Sequence, residues 1–216
     1  MIQAENLAKL YQRKPVLAGV NLSVHPGELV ILQGANGVGK TTLIRILATL
    51  TRPSSGDFSI GGFSGLKEPE LVRKQIGVML HQPMVYGDLT AMENLNFFAS
   101  LAGLKDQSSG NAALLEQMGL DPKNSKLVRN YSRGMQQRLS IARALIGNPP
   151  TLLMDEPFTG LDSANQERFI GLLCQLRSQG KAILLSDHDL FRASQIASRV
   201  DYLYRGKITS SFSGEE

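Results

Sequence analysis

With 216 residues, 42% hydrophobic and 19% charged, the chain has the composition of a globular protein that can bury a sizeable core in one or two domains. No apolar run approaches the ~18 residues of a membrane span, the first residues lack a basic-then-apolar leader pattern, and the single cysteine, Cys174, excludes an internal disulfide or a cysteine-clustered metal site; a cytosolic protein is expected. The net charge of +4 suits nucleotides, nucleic acid or lipid headgroups equally and chooses among none of them.

Residues 2–10 and 16–24 read as strands broken by Arg13-Lys14-Pro15, and Pro26-Gly27 turns the chain into the short apolar run 29–32, a buried strand. Next come Gly34, Ala35, Asn36, Gly37, Val38, Gly39, Lys40, Thr41 and Thr42, which fit the phosphate-cradling pattern G-x-x-x-x-G-K-[ST]. Leu43, Ile44, Ile46, Leu47 and Leu50 then recur at helical spacing, so strand, glycine loop and helix stand in the required order. Glycines let successive N–H groups curl inward toward phosphate oxygens, and the helix start adds partial positive charge. Lys40 is placed to reach the β- and γ-phosphates and Thr41 to ligate Mg²⁺, which predicts a nucleoside triphosphate site.

A short strand over 56–62, a helix over 69–75 opened by Pro69 and a strand over 76–80 ending at His81-Gln82-Pro83 complete the first third. From about 83 to 148 only helical patterns occur. Thr90 and Glu93 form a capping box ahead of Leu95, Phe97, Phe98 and Leu101, and further helices are expected over 111–118 and 132–146. Strand character returns over 151–154, followed by Asp155-Glu156-Pro157. Ser163-x-x-Gln166 is expected to cap a helix with Phe169, Leu172, Leu173 and Leu176 on one face, where Cys174 would be a packed, inert thiol. A strand over 182–185, a helix over 190–197 and a hairpin of 200–204 and 207–209 around Arg205-Gly206 close the chain. The alternation predicts one α/β domain: a nucleotide-binding core of residues 1–82 and 149–216 with a mostly parallel sheet, antiparallel N-terminal strands, and an inserted helical lobe over 83–148.

The apolar strand running into Asp155-Glu156 sets two carboxylates at the edge of a buried strand. Asp155 would hold Mg²⁺, usually through water, and Glu156 would polarise an attacking water as general base. With these motifs in place the chain resembles an ATP-binding-cassette (ABC) ATPase, the nucleotide-binding subunit of an ABC transporter, over essentially its full length. Asn130-Tyr131-Ser132-Arg133-Gly134-Met135-Gln136-Gln137-Arg138 resembles the family's signature helix, which begins Leu-Ser-Gly-Gly-Gln; Ser132 and Gly134 fit, while Tyr131, Arg133 and Met135 depart. The resemblance implies that Ser132 and Gly134 grip the γ-phosphate of ATP held by another subunit. It also implies that Gln82 contacts Mg²⁺ and water, Asp162 communicates between sites (a role compatible with capping the helix that follows), His188 contacts the γ-phosphate and Tyr11 stacks on adenine.

The implied mechanism is ATP-driven closure of a dimer, a homodimer having both halves of the composite site in one chain. Catalysis would rest on Lys40, Mg²⁺, Gln82, His188 and Glu156. Lacking a span, the chain needs separate membrane permease subunits, with Met84 and Tyr86 as contact candidates, and would be peripheral on the cytoplasmic membrane face. Tyr-Ser-Arg-Gly-Met resembles signatures of ATPases paired with ABC-2-type exporters, and the compact length resembles the haem-exporter ATPase of cytochrome c maturation. Haem is therefore the candidate cargo, with a generic ABC-2 export ATPase as the alternative. ATPases of DNA repair or chromosome maintenance share the motifs but need a long coiled coil between phosphate loop and signature; positions 41 to 131 carry no heptad run, and no nucleic-acid partner is expected.

Overall fold

A computed structural model describes residues 1–105 and 107–213. Two sheets organise them. The first has the order β2-β1-β4-β5, all antiparallel, from β1 (Ile2–Tyr11), β2 (Lys14–Val24), β4 (Ser55–Ile60) and β5 (Phe63–Ser64). The second joins β3 (Leu29–Gln33), β6 (Ile76–Met79), β7 (Thr151–Asp155), β8 (Ala182–Ser186), β9 (Arg199–Tyr204) and β10 (Lys207–Ser213) in the order β10-β9-β3-β8-β7-β6. All its pairings are parallel except β10 with β9.

The central strands explain the sheet. β3, β7 and β8 are buried at every position, and their alternate residues enter different cores. Val30, Leu32, Leu153 and Leu184 pack with the N-terminal sheet and α1 (Lys40–Leu47). Leu29, Ile31, Leu152, Met154, Ile183 and Leu185 pack with α5 (Arg133–Ala144) and α6 (Ser163–Ser178). Cover on both faces is why these strands read as unbroken apolar runs, as parallel strands do. Their register puts Leu32 beside Ser186 and Ser186 beside Asp155, so the C-terminal ends of β3, β8 and β7 form one ledge. A sheet of this kind binds its ligand there.

Helix α2 (Pro69–Arg73) precedes β6, and between β6 and β7 the described residues form only helices: α3 (Ala91–Leu101), α4 (Ser108–Gln117), a 3₁₀ turn (Val128–Asn130) and α5. Thr90 and Glu93 make the expected reciprocal capping box on α3. Arg143 fastens this lobe to the sheet. Its Nη2 donates to the Val78 carbonyl at 2.6 Å, its guanidinium lies 5.1 Å from the Phe98 ring centroid, and burial holds its pKa down to about 10. The last helix, α7 (Leu190–Ile196), precedes β9.

Several boundaries differ from expectation for local reasons. The first hairpin turns at Gln12 and Arg13, both at positive φ, so β1 reaches Tyr11 and β2 begins at Lys14; Pro15 is tolerated because β2 is an edge strand. Gly61-Gly62 turn the chain back into the short β5, a strand the sequence reading missed. Helix α1 stops at Leu47, with Thr49 at positive φ, leaving Leu50 outside it and exposed. The cap of α6 is Asp162, not Ser163: its Oδ1 accepts the Asn165 N–H at 2.9 Å. Strand β10 extends to Ser213, four residues past the expected end. Cys174 is half-buried against the α5–α6 core, as expected of a packed thiol. Among the described residues, no helix is long and apolar enough to cross a membrane.

Candidate active site

Gly34 leaves β3 with φ 145°, and a Cβ there would stand 2.5 Å from the Leu203 carbonyl oxygen, so only glycine lets the loop pass this close to β9. Gly39 caps α1 at φ 119°, a left-handed conformation that turns the loop directly into the helix. The Lys40 ammonium lies back on the loop, donating to the carbonyl oxygens of Gly34 at 2.6 Å and Ala35 at 3.2 Å. A cation on a short loop of main-chain dipoles at a helix start is an arrangement for phosphate. The cleft above it, ≈ 270 Å³, is lined by Asn36, Gly37, Gly39, Lys40, Thr41, Thr42, His81, Asp155 and Glu156.

The carboxylates meet the loop from the ledge. Asp155 is buried at the end of β7, and its two oxygens accept from the Thr41 hydroxyl and the Ser186 hydroxyl, each at 2.7 Å. Ser186 Oγ also accepts the Glu156 N–H at 2.9 Å, tying both acidic residues to β8. Glu156 adopts φ 50°, which lifts its side chain off the sheet and into the cleft. Gln137, buried on α5, donates its Nε2 to the Pro157 carbonyl at 3.0 Å and brackets the same turn from the helical side.

A family profile described as "ABC transporter" matches residues 17–159. The chain belongs to the ABC transporter ATP-binding family. It is 33% identical to the ABC transporter ATP-binding protein NatA of Bacillus subtilis (strain 168) over all of its own length and 93% of the relative. It is 34% identical to the bacitracin transport ATP-binding protein BcrA of Bacillus licheniformis, over 96% of this chain and 68% of that one. A solved dimeric bacterial ABC transporter cassette, MJ0796, superposes with a TM-score of 0.92 at 29% identity over the whole of both chains. The same cassette is known in a post-hydrolysis state with ADP and Pi, at a TM-score of 0.91. The chain is an ABC ATPase that binds ATP, and its mixed α/β fold is that of the cassette.

The remaining motif residues of this cassette lie outside the phosphate cleft. Ser132 is exposed and caps α5, accepting the Met135 N–H at 3.3 Å; Gly134 follows in the first turn, close to the Gly160 carbonyl. His188 is exposed, with its main-chain N–H donated to Asp187 Oδ1 at 2.8 Å. Asp187 is buried and accepts Arg192 Nε at 2.6 Å, while Arg192 lies over the Phe158 ring at 4.2 Å and donates to Gln166 at 2.7 Å. The loop that presents His188 is thereby joined to the segment leading into Asp162. Gln82 is exposed and is not among the described residues lining the cleft. Tyr11 ends β1 half-exposed, its ring 5.1 Å from Lys9 Nζ.

Sequence reasoning overlooked Ser186, His81, Gln137 and Arg192. A serine closing the apolar run 182–185 was a detectable signal for the first, because parallel register sets strand ends side by side. The other three depend on contacts across 19 or more residues or on side-chain direction, which no local pattern encodes.

Proposed function

We propose that this ATPase drives a membrane exporter as a homodimer, each ATP being held between the phosphate loop of one copy and the Ser132–Gly134 helix start of the other. The observation that carries the reading is the separation inside one chain. The phosphate cleft lacks Ser132 and Gly134 among its described lining, while Ser132 stands exposed and Gly134 partly exposed at a helix N-terminus suited to an anion. The dimeric relative supports two copies as the working unit.

In this mechanism Lys40 leaves the Gly34 and Ala35 carbonyls for the β- and γ-phosphate oxygens, and the loop N–H groups cradle the chain of phosphates. Thr41 and Asp155 present hard oxygen donors in contact with each other, a set that fits Mg²⁺; Gln82, outside the cleft lining, would have to turn inward to serve as a further ligand. Bound there, Mg²⁺ would supply charge neutralisation on the phosphates. Glu156 takes the proton of the attacking water, and His188 orients the γ-phosphate from the β8 side. Asp162 faces the second copy, and Tyr11 receives the adenine. Binding stabilises the closed dimer, and charge repulsion after cleavage favours opening.

Separate permease subunits would dock on the helical lobe, holding the cassette at the cytoplasmic face of the membrane. Tyr86 and Met84 are half-exposed there, and Tyr86 packs edge-on to Phe97 at 5.0 Å, giving an aromatic surface for an apolar helix. The bacitracin-transport relative and the Tyr-Ser-Arg-Gly-Met signature together favour a generic ABC-2-type exporter over the haem exporter of cytochrome c maturation. Glu156→Gln tests the dimer reading: with ATP it should sediment as a dimer and without nucleotide as a monomer. A monomer at saturating ATP would remove the reading.

A further inference from the structure

His81 belongs to none of the motifs above, yet it lines the phosphate cleft. Strand β6 runs parallel to β7 with Met79 beside Met154, so continuing the two chains by two residues brings His81 alongside Glu156. The result is an Nδ1 to Oε2 distance of 3.6 Å. This is too long for a hydrogen bond and short enough that a small side-chain rotation makes one.

The surroundings of Glu156 give that approach its weight. Its backbone is fastened from both sides: the N–H to Ser186 Oγ at 2.9 Å and the neighbouring Pro157 carbonyl to Gln137 at 3.0 Å. Its carboxylate, by contrast, makes no hydrogen bond among the described residues, and His81 is the one side chain paired with it there. A general base works only when its carboxylate is aimed, since an ångström of misplacement can cost on the order of 10²-fold in rate. The end of β6 is itself firm, because Arg143 clamps the Val78 carbonyl at 2.6 Å. His81 therefore lies two residues after an anchored strand end, on the open side of the base.

We infer that His81 is a positioning residue for hydrolysis: its Nδ1–H holds the Glu156 carboxylate toward the attacking water, acting through Glu156 and not through the nucleotide. The inference rests on Glu156 being the base. Steady-state hydrolysis by the full chain tests it with three variants. His81→Leu should lower kcat about tenfold or more while KM for ATP stays within about twofold. His81→Asn, whose amide nitrogen occupies the place of Nδ1, should recover most of the rate. In a Glu156→Gln background His81→Leu should cause no further loss, because the group it positions is already gone. A rise in KM at unchanged kcat, an Asn variant as slow as the Leu variant, or losses that add in the double variant would each overturn the inference while leaving Glu156 as base. Near-normal turnover by Glu156→Gln alone would overturn the underlying reading and this inference with it.

Discussion

The phosphate loop and the start of α5 are built in opposite ways. Around the phosphate loop the groups are tied down by short contacts: Asp155 by two hydroxyls, Lys40 by two carbonyls, and the backbone of Glu156 by Ser186. At the start of α5, Ser132 is exposed and Gly134 partly so, and the one side-chain hydrogen bond there is the cap in which Ser132 accepts the Met135 N–H. Chemistry needs preorganised groups, because reorganising them during the reaction costs rate. A surface that closes on a ligand brought by another molecule needs exposure instead. On the proposed reading, the contrast is that between one finished half-site and one half-site waiting for a counterpart.

The largest expected effect falls on the finished half. Glu156→Gln should slow hydrolysis by about 10²–10⁴-fold with ATP affinity retained, as measured by steady-state turnover beside nucleotide titration. Arg192→Met should cost about 3 kcal/mol in a denaturant melt, because it leaves the buried Asp187 carboxylate unpaired. It should also lower turnover by loosening the loop that carries His188. Lys40→Ala should weaken ATP binding by about 10- to 100-fold, through loss of a charge-assisted contact, and unchanged affinity would place the phosphates elsewhere. Asp162→Ala sharpens the comparison from the exposed side. Loss of the α6 cap should cost only about 1 kcal/mol of stability, so any larger loss of ATP-driven dimer would be read as an interface effect.

Much of this was legible in the sequence because the fold's strongest demands are local. The phosphate loop is one continuous segment, and its glycines are required by conformation; the carboxylates directly follow an apolar strand. Elements were equally plain where a cap or a breaker marked them, as at Thr90 and Glu93. Legibility failed where the deciding contact joined distant segments. Ser163 and Asp162 both carry capping chemistry at the start of α6, and only the backbone turn decides between them, in favour of Asp162. Leu50 kept helical spacing, but positive φ at Thr49 ends the helix before it. His81 offered no signal as a lone residue at a strand end; the parallel register with β7 is what brings it to Glu156.

The central claim is that two copies complete each other's sites, and mixing two dead variants tests it most directly. Lys40→Ala disables a phosphate loop, and Gly134→Asp sets a carboxylate against the γ-phosphate from the opposing helix. In a mixed dimer both lesions fall on one composite site, leaving the other composed of an intact loop and an intact helix start. Steady-state ATP hydrolysis should therefore reappear when the two inactive proteins are combined. A mixture that stays as inactive as its components, although ATP still binds the Gly134→Asp protein, would contradict the shared site.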